Sequence, residues 1–232
     1  KPEVPDQLSA GLCAVTANEM DDVSLEGYWR IIDSVADFRD GKSFNSEIEI
    51  ERLILSGKGK GYGVEASIRK NKGRLTGWLS YTLSWAKTKI EGINQGRWYD
   101  AGNDRRHDIN IVGIYDTGKR WKLSAAWTYY SGQAFTAPYA KYEIIDNWIY
   151  YYAERNSYRA PAYHRLDLSA TWSKRTPKTG TLRQWTFSIY NAYNHYNPFL
   201  ISFEDSSDGA RTKAKQYSLF GILPSVAYSI HF

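Results

Sequence analysis

The sequence has little of what stabilises or anchors several common classes of protein. A single cysteine, Cys13, excludes an internal disulfide, so we interpret it as a small strand residue. No run approaches the roughly 18–20 continuous apolar residues of a membrane-spanning helix, which excludes a helical membrane protein. The four histidines lack metal-ligand spacing and no Ser/His/Asp arrangement emerges, so no metal, no cofactor and no enzymatic activity is predicted.

A targeting leader and a nucleic-acid motif are missing as well. The net charge is +5, but lysines and arginines are scattered over turn-like segments and form no basic stripe, so nucleic acid is not a predicted partner. No charged-then-apolar signal peptide opens the chain, which starts on Lys1 rather than methionine. Since an exported protein needs a leader, we expect an N-terminal part to precede Lys1.

Aromatic residues are abundant. Nine Trp, nineteen Tyr and eight Phe make up 16% of the chain. Tyrosine and tryptophan favour sites with one apolar and one wet end, and girdles of them mark membrane β-barrels. A soluble β-sandwich with a sugar-binding face fits the composition equally well, so composition alone leaves both classes open.

Alternation of apolar and polar residues predicts about nine β-strands. The apolar face ends in aromatics such as Trp85, Trp127 and Trp172, whereas the other face carries charge deep within the strand. Leucine, alanine, glycine and rings on the apolar face suit lipid better than a second packed sheet. The predicted strands lie near 6–17, 22–37, 59–70, 75–89, 106–117, 120–136, 162–174, 181–203 and 213–232.

The predicted connections alternate between short and long, which is the layout of an outer-membrane barrel with periplasmic turns and extracellular loops. An odd number of strands with two open edges does not close in lipid, so a partial barrel that needs earlier strands is expected. The short turns are Asn18–Asp21, Asn71–Arg74, Thr117–Lys119 and Lys174–Gly180, and the long segments are 38–58, 90–105, 137–161 and 204–212.

The C-terminal stretch Ser225–Phe232 alternates apolar residues and ends on phenylalanine. With Gly59–Arg69, Leu75–Trp85, Tyr163–Trp172 and Trp185–Phe199, it resembles the C-terminal part of TonB-dependent outer-membrane receptors of the Bacteroidetes type. The stretches Val23–Asp37 and Tyr99–Ile111 also contribute to this resemblance, which extends from about Gln7 to Phe232.

The resemblance implies an all-β, antiparallel transmembrane β-barrel, of which residues 1–232 would supply the last nine or so of 22 strands around a plugged lumen. It implies the outer membrane of a Gram-negative bacterium as location and TonB-energised import of a large solute such as a siderophore, haem, vitamin, glycan or peptide. The implied partners are the rest of the barrel and its plug, outer-membrane lipid, TonB through an upstream segment, the barrel-assembly machinery and a surface lipoprotein lid.

Three groups of candidate site residues follow. Clustered aromatics and arginines in the outer loops are predicted to contact solute, because rings stack on flat or sugar ligands and arginine pairs with carboxylate or phosphate; they are Arg97, Trp98, Tyr99, Tyr142, Trp148, Tyr150, Tyr152 and Arg155. Charged strand residues are predicted to face the lumen or plug: Glu65, Arg69, Arg105, His107, Arg165 and Asp167. The predicted barrel-assembly signal comprises Tyr228, Ile230 and Phe232.

Two other functions fit the same pattern. A passive porin or an export-machinery barrel has the same wall but lacks a plug. An aromatic-rich carbohydrate-binding β-sandwich has similar strands but is soluble.

Overall fold

The computed structural model describes residues 4–15, 21–39, 53–145, 147–206 and 211–232. These ranges contain β-strands and one short 3-10 turn at Asn94–Gly96, and no helix among them is long and apolar enough to cross a membrane. The strands are β1 (Val4–Val15), β2 (Asp21–Phe38), β3 (Ile54–Lys70), β4 (Leu75–Ile90), β5 (Tyr99–Asp100), β6 (His107–Asp116), β7 (Trp121–Tyr130), β8 (Ala134–Phe135), β9 (Ala140–Ile144), β10 (Asn147–Tyr151), β11 (Tyr158–Arg159), β12 (Tyr163–Arg175), β13 (Leu182–Tyr190), β14 (Leu200–Asp205), β15 (Thr212–Tyr217) and β16 (Leu223–His231).

Nine of these strands form one antiparallel meander in the order β1-β2-β3-β4-β6-β7-β12-β13-β16, with β5 added beside β4. The pairs β8–β11, β9–β10 and β14–β15 are separate two-stranded sheets. The predicted all-β, antiparallel architecture is therefore confirmed. Within the described ranges β1 and β16 each pair on one side only, and closure into a barrel stays a prediction.

Short and long connections lie at opposite ends of this meander. Tight turns join β3 to β4, β6 to β7 and β12 to β13. Gly73, Gly118 and Gly180 adopt positive φ in these turns, a conformation that glycine takes without steric strain. The long connections 39–53, 91–106, 131–162 and 191–222 all leave from the other end, which we name the loop end. The predicted alternation is thus observed, although the turn within 16–20 lies outside the described residues.

The meander has an apolar face and a polar face, set by the pairing register. Leu25 pairs with Ala66 and Ala66 with Tyr81, so apolar side chains run across neighbouring strands on one side. Glu26 pairs with Glu65 on the other side. The apolar face includes Leu8, Leu12, Leu25, Trp29, Val64, Ile68, Leu79, Ile111, Leu123, Leu168, Phe187, Val226 and Ile230, all of them exposed.

The buried core does not lie on either face of the sheet. The buried hydrophobic residues of the described chain cluster around Ile90, Ile93 and Tyr99 at the loop end, with others in the long connections. The accessible surface is 16186 Å², whereas a compact monomer of this mass exposes about 11,000 Å². Most of the apolar surface of the meander is therefore left uncovered by the chain itself.

A β-bulge at Ser34 changes which face the end of β2 presents. Asp33 pairs with Lys58 and Val35 with Gly57, so Ser34 is extra, and its φ is 66°. Because side chains alternate with a period of two, one extra residue exchanges the faces beyond it. Asp37 consequently points to the polar side of the loop end.

Three predicted strands were wrong in extent. The segment predicted as 120–136 ends as a sheet strand at Tyr130. The segment predicted as 181–203 ends as a sheet strand at Tyr190, and that predicted as 213–232 joins the sheet only from Leu223. Between them β14 and β15 form their own hairpin. The buried Asn191 (φ 54°) ends β13, because its amide donates to the carbonyl of His195 and its Oδ1 accepts from the backbone N–H of His195.

Candidate ligand-binding site

Three of the residues predicted to face a lumen meet at the loop end of the polar face. Arg165 and Asp167 lie on β12 and Arg105 lies in the connection before β6. Glu65 and Arg69 share this face but stand on β3, four positions away in the sheet order. Glu65 lines a neighbouring cavity of about 510 Å³, which Arg105 also borders, and Arg69 stacks over Trp78 at 5.9 Å.

His107 is separated from this group. It pairs with Leu83 and forms a 2.9 Å hydrogen bond between its Nδ1 and the hydroxyl of Tyr81, so it lies on the apolar face. The prediction that grouped His107 with the polar-face charges is therefore corrected. In the sequence, the polar Asp108 and Asn110 alternate with apolar residues, and this alternation places His107 on the apolar face. The charged residues directly before His107 favoured the polar face instead.

Arg165 is held rigidly by three neighbours. Its guanidinium contacts the carboxylate of Asp167 at 2.9 Å and donates to the hydroxyls of Tyr163 and Tyr190, both at 2.8 Å. Asp167 in turn accepts a hydrogen bond from the backbone N–H of Asn191 at 2.9 Å. The positive charge of Arg165 is thus neutralised inside the protein, and its geometry is fixed by charge-assisted hydrogen bonds.

Arg105 is held differently. Its guanidinium lies 4.0 Å from the ring centroid of Tyr130, and that ring stacks on Tyr163 at 4.4 Å. Such a cation–π contact orients the guanidinium without using its N–H donors. Among the described residues Arg105 makes no ion pair and its side chain donates no hydrogen bond.

Arg105 and the tyrosines Tyr130, Tyr163 and Tyr190 line a cavity of about 560 Å³, which falls in the size range of small-molecule sites. The connection 131–162 and the connection 191–222 form its outer wall. At Gly132 the chain passes so close to the backbone of Ala160 that a Cβ atom would overlap it. The lining residues include Arg105, Tyr130, Tyr163, Tyr190, Gln133, Asn197, Phe135, Phe199, Leu219 and Phe220.

The outer-loop candidates Arg97, Tyr99 and Arg155 take part in joining two long connections. Arg97 pairs with Glu154 at 2.7 Å, and Arg155 pairs with Asp37 at 2.6 Å. The buried Tyr99 donates its hydroxyl to Asp37 at 3.2 Å. These residues therefore have structural roles, and contact with a solute stays a prediction for them.

A second set of bonds joins the same two connections. Asn94 donates its side-chain amide to the carbonyl of Arg155 and accepts from the N–H of Arg155, at 3.1 and 2.7 Å. The fully buried Asp104 pairs with Arg159, which also contacts Asp100. Partial burial raises the pKa of Asp100, but hydrogen bonds and charge from Lys87 and Arg159 together lower it by more. The net pKa of Asp100 is therefore below its ordinary value. Asp104 was not among the predicted site residues, because its burial depends on tertiary packing.

Apart from Trp98, the remaining outer-loop candidates lie on or beside the hairpin β9–β10. Lys141 lies over the rings of Trp148 and Tyr150, at 4.8 and 5.3 Å, and pairs with Asp205 of β14 at 2.7 Å. Hydrogen bonds from Lys141 and Tyr150 lower the pKa of Asp205, and the bond to Asp205 raises the pKa of Tyr150. Tyr142 is exposed on the same hairpin, Tyr152 lines a neighbouring cavity of about 930 Å³, and Trp98 lies under Lys60 at 4.3 Å.

The C-terminal candidates lie at the edge of the meander. Tyr228 packs on Trp185 at 4.6 Å, and Ile230 is exposed on the same apolar face. Phe232 follows β16 and is fully exposed. Their predicted role in barrel assembly stays a prediction.

The described residues contain no group of three or more His, Cys, Asp or Glu side chains that could hold a metal ion. A scan against protein-family models found no match to the chain, and a search of curated proteins found none either. The function is therefore inferred from the geometry of the sheet and of its loop end.

Proposed function

We propose that this chain is part of the wall of an outer-membrane β-barrel, in which the apolar face contacts lipid and the polar face lines the interior. The observation that carries the proposal is the exposed apolar face of a nine-stranded antiparallel meander whose long connections all lie at one end. A soluble protein rarely exposes an apolar patch larger than a few hundred Å². A lipid bilayer supplies the covering that this face needs.

The distribution of aromatic and charged residues supports the same arrangement. Trp29, Tyr62 and Trp85 stack in a row across three strands, with centroids 5.2 and 5.3 Å apart. A band of this kind fits the girdle at a membrane interface. The charged Glu26, Arg30, Glu65, Arg165 and Asp167 lie on the opposite face, which fits a wet interior.

Within this class we propose a receptor for energised import of a large solute. Solute would enter from the loop end, where long connections surround the cavities lined by tyrosine, phenylalanine and arginine. Such cavities can bind a ligand through stacking and a few polar contacts. Energy coupling would reach the barrel through a plug and a TonB-contacting segment elsewhere in the protein.

A matched pair of substitutions tests the membrane proposal. Leu79 and Ser80 are adjacent near the middle of β4 and point to opposite faces. In the intact protein refolded into lipid vesicles, Leu79→Lys should reduce the free energy of unfolding by about 2–4 kcal/mol. Ser80→Lys, whose lysine reaches the interior, should change it by less than about 1 kcal/mol.

The outcome separates the proposal from its alternatives. A soluble sheet with an exposed Leu79 would tolerate both lysines equally, and the protein would purify as a stable monomer without detergent. Either result would end the membrane proposal. If the membrane wall is confirmed but the reading frame encodes no plug ahead of residue 1, a passive pore or an export barrel replaces the import receptor.

A further inference from the structure

The arginines at the loop end of the sheet differ in whether they pair with a carboxylate. Arg97, Arg106, Arg155, Arg159 and Arg165 each pair with a carboxylate of the chain. In the part of the chain that the structure describes, the Arg105 guanidinium has no carboxylate within ion-pair distance and lies against a ring of the cavity wall. Its charge is therefore still available to a partner that enters the cavity.

The hydroxyls beside Arg105 are also arranged for an acceptor. Tyr163 and Tyr190 line the cavity, and both accept an N–H from Arg165. A phenol has a single O–H proton, and an oxygen that already accepts from arginine retains this proton for donation. Even if one hydroxyl donates to the other, one proton remains. The cavity thus presents at least one hydroxyl donor in addition to the guanidinium of Arg105.

Aromatic rings form much of the rest of the wall, beside the polar side chains of Gln133 and Asn197. The stacked rings of Tyr130 and Tyr163, which are nearly parallel at 8°, form one side. Phe135, Phe199 and Phe220 add apolar surface from the long connections. A planar ring system that packs against these rings gains free energy from the burial of its apolar surface.

We propose that this cavity binds a planar aromatic carboxylate. The carboxylate pairs with the guanidinium of Arg105 and accepts from a tyrosine hydroxyl, and the ring system lies among the aromatic side chains. Arg165 is a positioning residue, because its charge is neutralised by Asp167 and it holds the two tyrosines in place. The proposal deepens the proposed function by naming a solute class and relies on that function for the uptake step alone.

The test uses 2-naphthoate and its neutral analogue 2-naphthamide as probes of the intact protein in detergent, with affinity measured by calorimetry. We expect 2-naphthoate to bind at least about tenfold more tightly than 2-naphthamide, since a charge-assisted pair exceeds a neutral contact by this much or more. Arg105→Gln should remove the difference between the two probes. Arg105→Lys should restore part of it.

The matched control is Arg120→Gln, which removes the same charge at the turn end of the sheet, beside Trp172. It should leave the affinity for 2-naphthoate unchanged. Equal affinities of the two probes, or an equal loss in both glutamine variants, would overturn the proposal. Detergent dependence and the Leu79→Lys result are measured separately, so failure of ligand binding is distinguishable from failure of the membrane proposal.

Discussion

At the scale of single residues, the cavity depends on contacts that the sequence does not display. Arg105, Arg165 and Asp167 were predicted as members of one polar face. The structure pairs Arg165 with Asp167, whereas Arg105 lines the cavity itself. Tyr130, Tyr163 and Tyr190 were not predicted, because their stacking depends on which residues face each other across β7, β12 and β13. Alternation along one strand predicts a face, but pairing between strands requires the register.

Gly132 permits the close approach of two loop segments beside the cavity, which leads to a prediction for this position. Gly132→Ala should destabilise the protein by about 1–3 kcal/mol, because the new Cβ would overlap the backbone of Ala160. The free energy of unfolding in denaturant measures the effect.

Gly113→Ala is its control, since a Cβ at Gly113 meets nothing within 4 Å. If both alanine variants unfold at the same denaturant concentration, the close approach at Ala160 does not limit the packing of this loop.

At the scale of elements, the sequence predicted the positions of all nine sheet strands. It predicted the ends of several strands poorly. The alternation of Phe199, Ile201 and Phe203 continues past Tyr190, so the sequence pattern shows no break there. The break comes from Asn191 and Asn194, which adopt positive φ and close a turn through side-chain bonds. Such local bonds compete with the ladder and are not visible in hydrophobic periodicity.

The bulge at Ser34 gives a prediction about backbone strain. A residue other than glycine or asparagine in the left-handed region costs about 1 kcal/mol or more. Ser34→Gly should therefore stabilise the protein by up to about 1 kcal/mol, and Ser34→Val should destabilise it by about 1–2 kcal/mol. Thermal unfolding of the two variants checks the order.

A stabilising valine would mean that residue 34 does not hold a positive φ. It would also remove the reason for Asp37 to face Tyr99 and Arg155, since the bulge exchanges the faces beyond it.

The contact between β9–β10 and β14–β15 should depend on pH. Asp205 has a pKa below its ordinary 3.8, because Lys141 and Tyr150 bond its charged form. A carboxylate with a lowered folded-state pKa stabilises the folded form above its unfolded pKa and loses this contribution as the pH falls through the folded value. The protection of the β14 amides from hydrogen exchange, taken relative to the unfolded chain at the same pH, should therefore fall only below about pH 4.

Asp205→Asn serves as the reference for this titration. Its β14 amides should already have low protection factors at pH 7, and these factors should change little on acidification. An acid-induced step of equal size in the variant would assign the effect to another group, such as Glu204, whose pKa is also lowered by its bonds to Tyr217 and Lys215.

At the scale of the whole molecule, the sequence predicted the sheet class and the grouping of the long connections at one end of the sheet. Both follow from local patterns: the alternation in segments such as Leu75–Trp85, and turn residues such as Gly73 and Gly118. The interlocking of the loops did not follow, because Asn94 and Arg155 are 61 positions apart in the chain. Contacts at such separation depend on the completed fold.

The reciprocal bonds between Asn94 and Arg155 have a consequence for motion. Together with the pairing of Arg159 to Asp100 and Asp104, they fasten the connections 91–106 and 131–162 at several points. Neither segment can swing aside while the other stays in place. The two segments therefore open in a single step. Entry of a solute beneath them should show one relaxation time rather than two.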